Sequence, residues 1–244
     1  MTGLERRMAR LLANKGKLFL AAFDHPQIYG AMAGLENTPA LVERLKETRL
    51  DGFILNPGMT AHVSPAAMAD KLLVLRNSVG GTLIGKDSYS NCHEALVSAA
   101  KAVELGADAV LTMFVLGSSD DKNSQLELSR IVEESHEYGL PVIAEVLAAD
   151  YTRNNDTDFI TDGARMASEI GADMIKAFYC DGFEKVVANC PVPIILAGGP
   201  KGADIVEVAR GIVEKGAVGF AFGRNLFQDP DPKSLIKKLD EVLR

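Results

Sequence analysis

Short apolar runs alternate with helical patterns from one end of the chain to the other. The runs cover 18–24, 52–56, 82–87, 109–115, 142–148, 173–178, 193–199 and 218–223. Between them, 39–49, 65–79, 91–105, 124–138, 159–170 and 203–215 carry apolar residues three and four apart, the spacing of one helix face. Strands that are apolar on both faces belong to a parallel sheet covered by helices. Eight βα units in 244 residues predict a (β/α)8 barrel, one domain spanning 1–244, with an open doubly wound sheet as the alternative.

The punctuation agrees with this pattern. Leu105-Gly106-Ala107-Asp108, Ile170-Gly171-Ala172-Asp173 and Lys215-Gly216-Ala217-Val218 each place a glycine where a helix stops before a strand, since glycine adopts positive φ without strain. Asn37-Thr38-Pro39 and Ser64-Pro65 read as helix starts, with a polar cap and proline in the first turn. The segment 26–34 reads as a loop, and 229–233 as a turn into a last helix.

Composition narrows the function classes. Hydrophobic residues make up 47% and charged residues 24%, as in a soluble globular protein. The net charge of −7 argues against nucleic acid as a partner, because phosphate backbones need clustered Lys and Arg. No apolar stretch reaches the roughly 18 residues of a membrane span. Residues 1–17 carry charges at helical spacing rather than the apolar block of a signal peptide. The three cysteines, Cys92, Cys180 and Cys190, suggest neither a disulfide frame nor a zinc site. A cytoplasmic protein without metal or other cofactor is expected.

Barrels place chemistry at the C-terminal ends of their strands, and Lys176 lies in the apolar run Met174-Ile175-Lys176-Ala177-Phe178. Desolvation disfavours a charged amine, and a neutral amine attacks carbonyls to form Schiff bases. Strand alternation puts Met174, Lys176 and Phe178 inside, with Ile175 and Ala177 against the helices. On the preceding strand it sends Glu145 inward beside Lys176, either as a catalytic partner or as half of a buried ion pair. Asp24 closes the first run and is placed to move protons near the lysine. His25 follows it in the loop and, with Lys86, is a candidate for substrate or phosphate binding. Lys86 and Asp87 end the run 82–87, and only one of these neighbours can point inward. An inward Lys86 would add a second ammonium that lowers the pKa of Lys176. The turns at Gly198-Gly199 and Gly223-Arg224 follow the last two runs, where barrels often bind phosphate. Glycines let backbone N–H groups approach the oxygens, and Arg224 supplies a charge-assisted contact.

The segments Gly171-Ala172-Asp173-Met174-Ile175-Lys176, 191–201 and Gly223-Arg224-Asn225-Leu226-Phe227-Gln228, with Ala22-Phe23-Asp24-His25, resemble the class I aldolases of the archaeal fructose-bisphosphate aldolase type, the DeoC/FbaB/LacD group. The resemblance runs over nearly the whole chain. It implies a (β/α)8 barrel, a Schiff base on Lys176, a strand-one aspartate at Asp24 and a substrate phosphate at Gly198, Gly199, Gly223 and Arg224. It also implies a homo-oligomer, which in that group is often a decamer. One position departs from the group: Leu147 stands where these aldolases carry an acid/base tyrosine. Leucine cannot transfer a proton, so that task falls to Glu145, Asp150, Asp24 or a water. The expected function is C–C bond cleavage or formation on a phosphorylated ketose-type substrate. The alternatives are acyl transfer from a phosphorylated diketone, as in the thiolase branch, and non-catalytic sugar-phosphate binding.

Overall fold

The computed structural model of the chain describes residues 1–84, 92–199 and 203–244. Eight parallel strands close into a barrel: β1 (Leu18–Ala22), β2 (Gly52–Leu55), β3 (Leu72–Arg76), β4 (Ala109–Leu116), β5 (Val142–Ala148), β6 (Met174–Ala177), β7 (Ile194–Leu196) and β8 (Gly219–Phe222). Each strand pairs with its chain neighbour, and β8 returns to β1 with Leu18 opposite Gly219. On the outer side of that seam, Phe220 stacks on Phe222 with ring centroids 4.9 Å apart, and Phe19 meets Phe220 edge-on at 5.6 Å.

The sorting of faces follows the alternation. Val142, Ala144, Val146, Ile175 and Ala177 pack against the helices. Leu20, Ile54, Val74, Leu111, Ile143, Met174, Ile195 and Ala221 fill the interior, so the barrel is a packed core and not a pore. The helix Gly3–Leu11 covers the N-terminal end of the barrel. Its Leu11 is buried in the interior cluster, with Met8 and Leu12 against it. Arg10 Nη1 pairs with Asp108 Oδ1 at 2.8 Å, and Arg7 Nη1 donates to Gly139 O at 3.1 Å.

The three glycines and the Asn37 cap act as expected, whereas Ser64, before the turn Pro65–Met68, makes no side-chain cap hydrogen bond. Gly106, Gly171 and Gly216 have φ of 82°, 115° and 103°, and Asn37 Oδ1 accepts from Ala40 N at the start of the helix Thr38–Leu45. Residues 26–34 are not all loop: Pro26–Tyr29 forms one helical turn, helped by the fixed φ of Pro26 at its first position.

The third strand departs from the sequence reading. It is Leu72–Arg76, inside the stretch 65–79 expected to be a helix, and not 82–87. Only Pro65–Met68 is helical there. Four consecutive apolar residues, Leu72 to Leu75, are all buried, an arrangement for a strand covered on both faces and not for a helix with one wet side. The helix expected over 91–105 likewise begins at Ala99. Ahead of it Glu94–Ala95 pairs antiparallel with Ser78–Val79. Lys86 and Asp87 therefore do not end the third strand, and both lie outside the described residues.

Candidate active site

Within one step along the strands, the barrel interior turns from apolar to charged. Two residues beyond Val74, Ile143 and Met174 stand Arg76, Glu145 and Lys176, and Asp24 follows Ala22 by the same interval. All four charged side chains are buried, Arg76 at 1% exposure and the others at 4%. Register sets Glu145 opposite Lys176, and Glu145 Oε1 lies 2.8 Å from Lys176 Nζ. Arg76 Nη1 donates to Asp24 Oδ2 at 2.9 Å and lies 3.9 Å from Glu145 Oε2. Arg76 Nε donates to Ser78 O at 3.0 Å. The four form a chain, Lys176–Glu145–Arg76–Asp24, whose formal charges cancel. Desolvation offsets most of the attraction in such clusters, so stability alone does not account for it.

Burial by itself pushes the Asp24 carboxyl up. The His25 imidazole beside it and the charges of Lys176 and Arg76 more than reverse this, holding Asp24 well below the usual carboxylate range. His25 Nδ1 is 3.6 Å from Asp24 Oδ1, so that contact is electrostatic rather than a short hydrogen bond. Asn56 Nδ2, at the end of β2, donates to Asp24 O at 2.9 Å. His93 is buried near Arg76. Burial, and then the Arg76 charge, lower its pKa to about 3.

The two glycine turns meet at the same end of the barrel. A β-carbon on Gly198 would lie 3.6 Å from Asn225 Oδ1. Gly199 packs so closely that a β-carbon would stand 2.9 Å from Ile205 Cδ1. Gly223 is covered by the His25 ring, which an added β-carbon would overlap. His25 also meets Phe227 at 5.1 Å and Tyr29 at 6.2 Å between ring centroids. The loop after β1 is thus seated on the turn after β8. Arg224 is exposed at the start of the short helix Arg224–Phe227, whose N-terminus has no side-chain cap. The helix Ile205–Glu214 is different. Asp204 caps it, accepting from Val206 N at 2.9 Å, so its first turn is already supplied with a carboxylate.

Sequence reading thus brings together Lys176, Glu145, Asp24 and His25 on one side, and Gly198, Gly199, Gly223 and Arg224 on the other. Asp150 does not join them: its side chain accepts from Thr152 N at 3.0 Å as a local cap. Leu147 is buried two residues past Glu145. The residue that the sequence reading missed is Arg76. Its signal was an arginine closing the unbroken run Leu72-Leu73-Val74-Leu75. Two other clefts, of about 440 and 340 Å³, are lined by none of these side chains. The charged layer, not cleft size, is therefore the candidate centre.

Comparison with known proteins now decides the family, since the model of the DeoC/LacD family aldolases matches residues 18–229. The chain belongs to the DeoC/LacD aldolase family. Among curated relatives, the 3-hydroxy-5-phosphonooxypentane-2,4-dione thiolase of Yersinia pestis (strain Pestoides F) is 31% identical over 99% of this chain and 82% of its own length. That of Yersinia pseudotuberculosis (serotype O:1b, strain IP 31758) is 32% identical with the same coverage. Among solved structures, an archaeal fructose 1,6-bisphosphate aldolase superposes with a TM-score of 0.85 at 25% identity, covering 98% of both chains. A Schiff base forming fructose-1,6-bisphosphate aldolase gives 0.84 at 26%, covering 99% of this chain and 100% of that one. The barrel and the aldolase class expected from the sequence both stand: this is an enzyme of the Schiff-base-forming aldolase type.

Proposed function

We propose that Lys176 is the Schiff-base lysine and that the substrate is a small phosphorylated ketose-type compound. The observation that carries this reading is the buried contact of 2.8 Å between Lys176 Nζ and Glu145 Oε1. An ammonium must lose a proton before it attacks a carbonyl, and Glu145 is the group in place to receive it. The neutral amine then adds to the ketone. The carboxyl returns the proton as water leaves, and the iminium that remains withdraws electrons from the adjacent C–C bond. Asp24, held ionised, is suited to stabilising the cationic adduct rather than to donating a proton. The turns at Gly198, Gly199 and Gly223, with Arg224, hold the phosphate and so place the carbonyl against Lys176. Cytoplasmic placement and assembly into a homo-oligomer belong to the same reading.

Borohydride reduction in the presence of dihydroxyacetone phosphate tests it. A covalent adduct on Lys176 is expected by peptide mass spectrometry. An unmodified Lys176 under conditions where the ketone demonstrably binds would remove the mechanism.

A second reading keeps the lysine and changes the reaction to acyl transfer. It is supported by the thiolase relatives and by leucine at position 147, where the aldolase resemblance implies tyrosine. Incubation with coenzyme A of a phosphorylated diketone and, separately, of a phosphorylated ketose separates the two: an acyl thioester from the diketone favours transfer, and a free aldehyde from the ketose with no thioester from the diketone favours the aldol route.

A further inference from the structure

On the Schiff-base route proposed above, the electrons of the broken C–C bond pass to the iminium and leave an enamine. The enamine carbon must then take a proton before the product is released. The two carboxylates of the charged layer are poor sources of it. Asp24 is held ionised, and Glu145 has returned its proton by the time the iminium exists. A suitable donor keeps its proton at neutral pH and stands at the C-terminal end of the barrel. A phenol meets the first condition, with an ordinary pKa of about 10. Of the described tyrosines, Tyr138 lies at the opposite end, where its carbonyl accepts from Arg7 Nη1. Tyr179 Oη is engaged with Asp181 Oδ1 at 3.0 Å. Tyr29 and Tyr151 remain.

Tyr29 closes the helical turn Pro26–Tyr29, and Gly30 turns the chain away after it with φ of 71°. Its ring stacks on His25 at 6.2 Å between centroids, with 28° between the planes. His25 in turn stands 3.6 Å from Asp24 Oδ1 and covers Gly223. The phenol is therefore held where the charged layer meets the turn after β8. It is half-buried, and the charges of Glu145 and Arg224 both reach it. Burial first, then Tyr151 and Glu145, push its pKa above the ordinary value against the pull of Arg224, so its proton stays on. Tyr151 is 48% exposed and meets Phe178 edge-on at 6.1 Å, which makes it the wetter of the two. Resting on the Schiff-base reading, we infer that Tyr29 is a further catalytic residue, whose hydroxyl gives the proton that the enamine carbon takes up. The enamine π electrons form the new C–H bond, and the nitrogen lone pair restores the iminium. The O–H electrons stay on oxygen, and the phenolate regains a proton from water. Hydrolysis of the iminium then frees the product and Lys176.

The test isolates this proton from bond cleavage. Dihydroxyacetone phosphate alone is incubated with the enzyme in D2O, and exchange of its α-hydrogen is followed by NMR, alongside borohydride trapping. Tyr29→Phe keeps the ring that stacks on His25 and removes only the hydroxyl. Its exchange is expected to fall about 100-fold or more, the usual share of a general acid, while trapping stays within about twofold of the wild type. Tyr151→Phe should leave both within about twofold. Exchange at the wild-type rate in Tyr29→Phe overturns the proposal. So does an equal loss of trapping and exchange, which a merely structural role for the loop would give, and so does a loss of exchange in Tyr151→Phe instead. A wild-type enzyme that traps the ketone without exchanging its hydrogen overturns it as well. Trapping separates these outcomes from the mechanism. If Lys176 is reduced onto the ketone and Tyr29→Phe still exchanges, only the Tyr29 assignment falls. If exchange depends on Tyr29 as expected and Lys176 stays unmodified, only the Schiff-base assignment falls.

Discussion

Arg76 Nη1 and Asp24 Oδ2, 2.9 Å apart, tie the end of the third strand to a residue two past the first, with β2 between them. Both groups are buried, so removing one leaves the other charge without its partner. Arg76→Met is expected to lose about 3–5 kcal/mol of stability, measured by urea unfolding. The double change Arg76→Met with Asp24→Leu should recover most of that loss. A double variant no more stable than the single would show that the pair does not account for the loss.

The acid side of the stability curve should carry two separable components. His93 has its pKa lowered to about 3 by burial and the nearby Arg76 charge, so from its ordinary value of about 6.5 down to that point only the unfolded chain takes up the proton. Stability then falls as the pH drops through that window, by about 1.4 kcal/mol per unit. Asp24 acts lower. Its folded pKa is depressed, so its stabilisation is complete above about pH 4 and declines below it. His93→Gln should flatten the slope between pH 6 and 4 in unfolding titrations and leave the decline below pH 4.

Glu145→Gln preserves shape and removes the proton acceptor beside Lys176. Its rate of Schiff-base formation, followed by rapid-quench borohydride trapping, is expected to fall about 10²–10⁴-fold. A variant that traps at the wild-type rate would transfer the proton role elsewhere.

At the two glycine turns proposed to bind phosphate, the expected effects divide between shape and charge. Gly223→Ala drives a β-carbon into the His25 ring and to 3.0 Å from Ala22 O. It should weaken phosphorylated ligands about tenfold or more and lower the melting temperature. Arg224 is exposed, so Arg224→Ala should weaken the same ligands similarly, as befits a charge-assisted hydrogen bond, with little effect on melting. Calorimetry and thermal scans on the two variants provide the check.

Strand alternation made much of this site legible. It sent Glu145 and Lys176 to the same face of adjacent strands, and the observed register sets them opposite one another. It failed where two periodicities overlap. The stretch from Pro65 to Val79 carries apolar residues at helical spacing, yet contains the unbroken run Leu72–Leu75, which the neighbouring strands claim through register. Misplacing that strand hid Arg76, because an arginine on a helix is ordinary and one at the inward end of a barrel strand is not. The contact of His25 with Gly223 joins residues nearly two hundred positions apart, and no local pattern encodes it.

The helix Gly3–Leu11 has a kinetic consequence for catalysis. Because Leu11 and its neighbours stopper the N-terminal end of the ring of strands, the approach to Lys176 lies at the opposite, C-terminal end. On the proposed Schiff-base route, the fragment freed by C–C cleavage would leave by that end before the piece held on Lys176 is released.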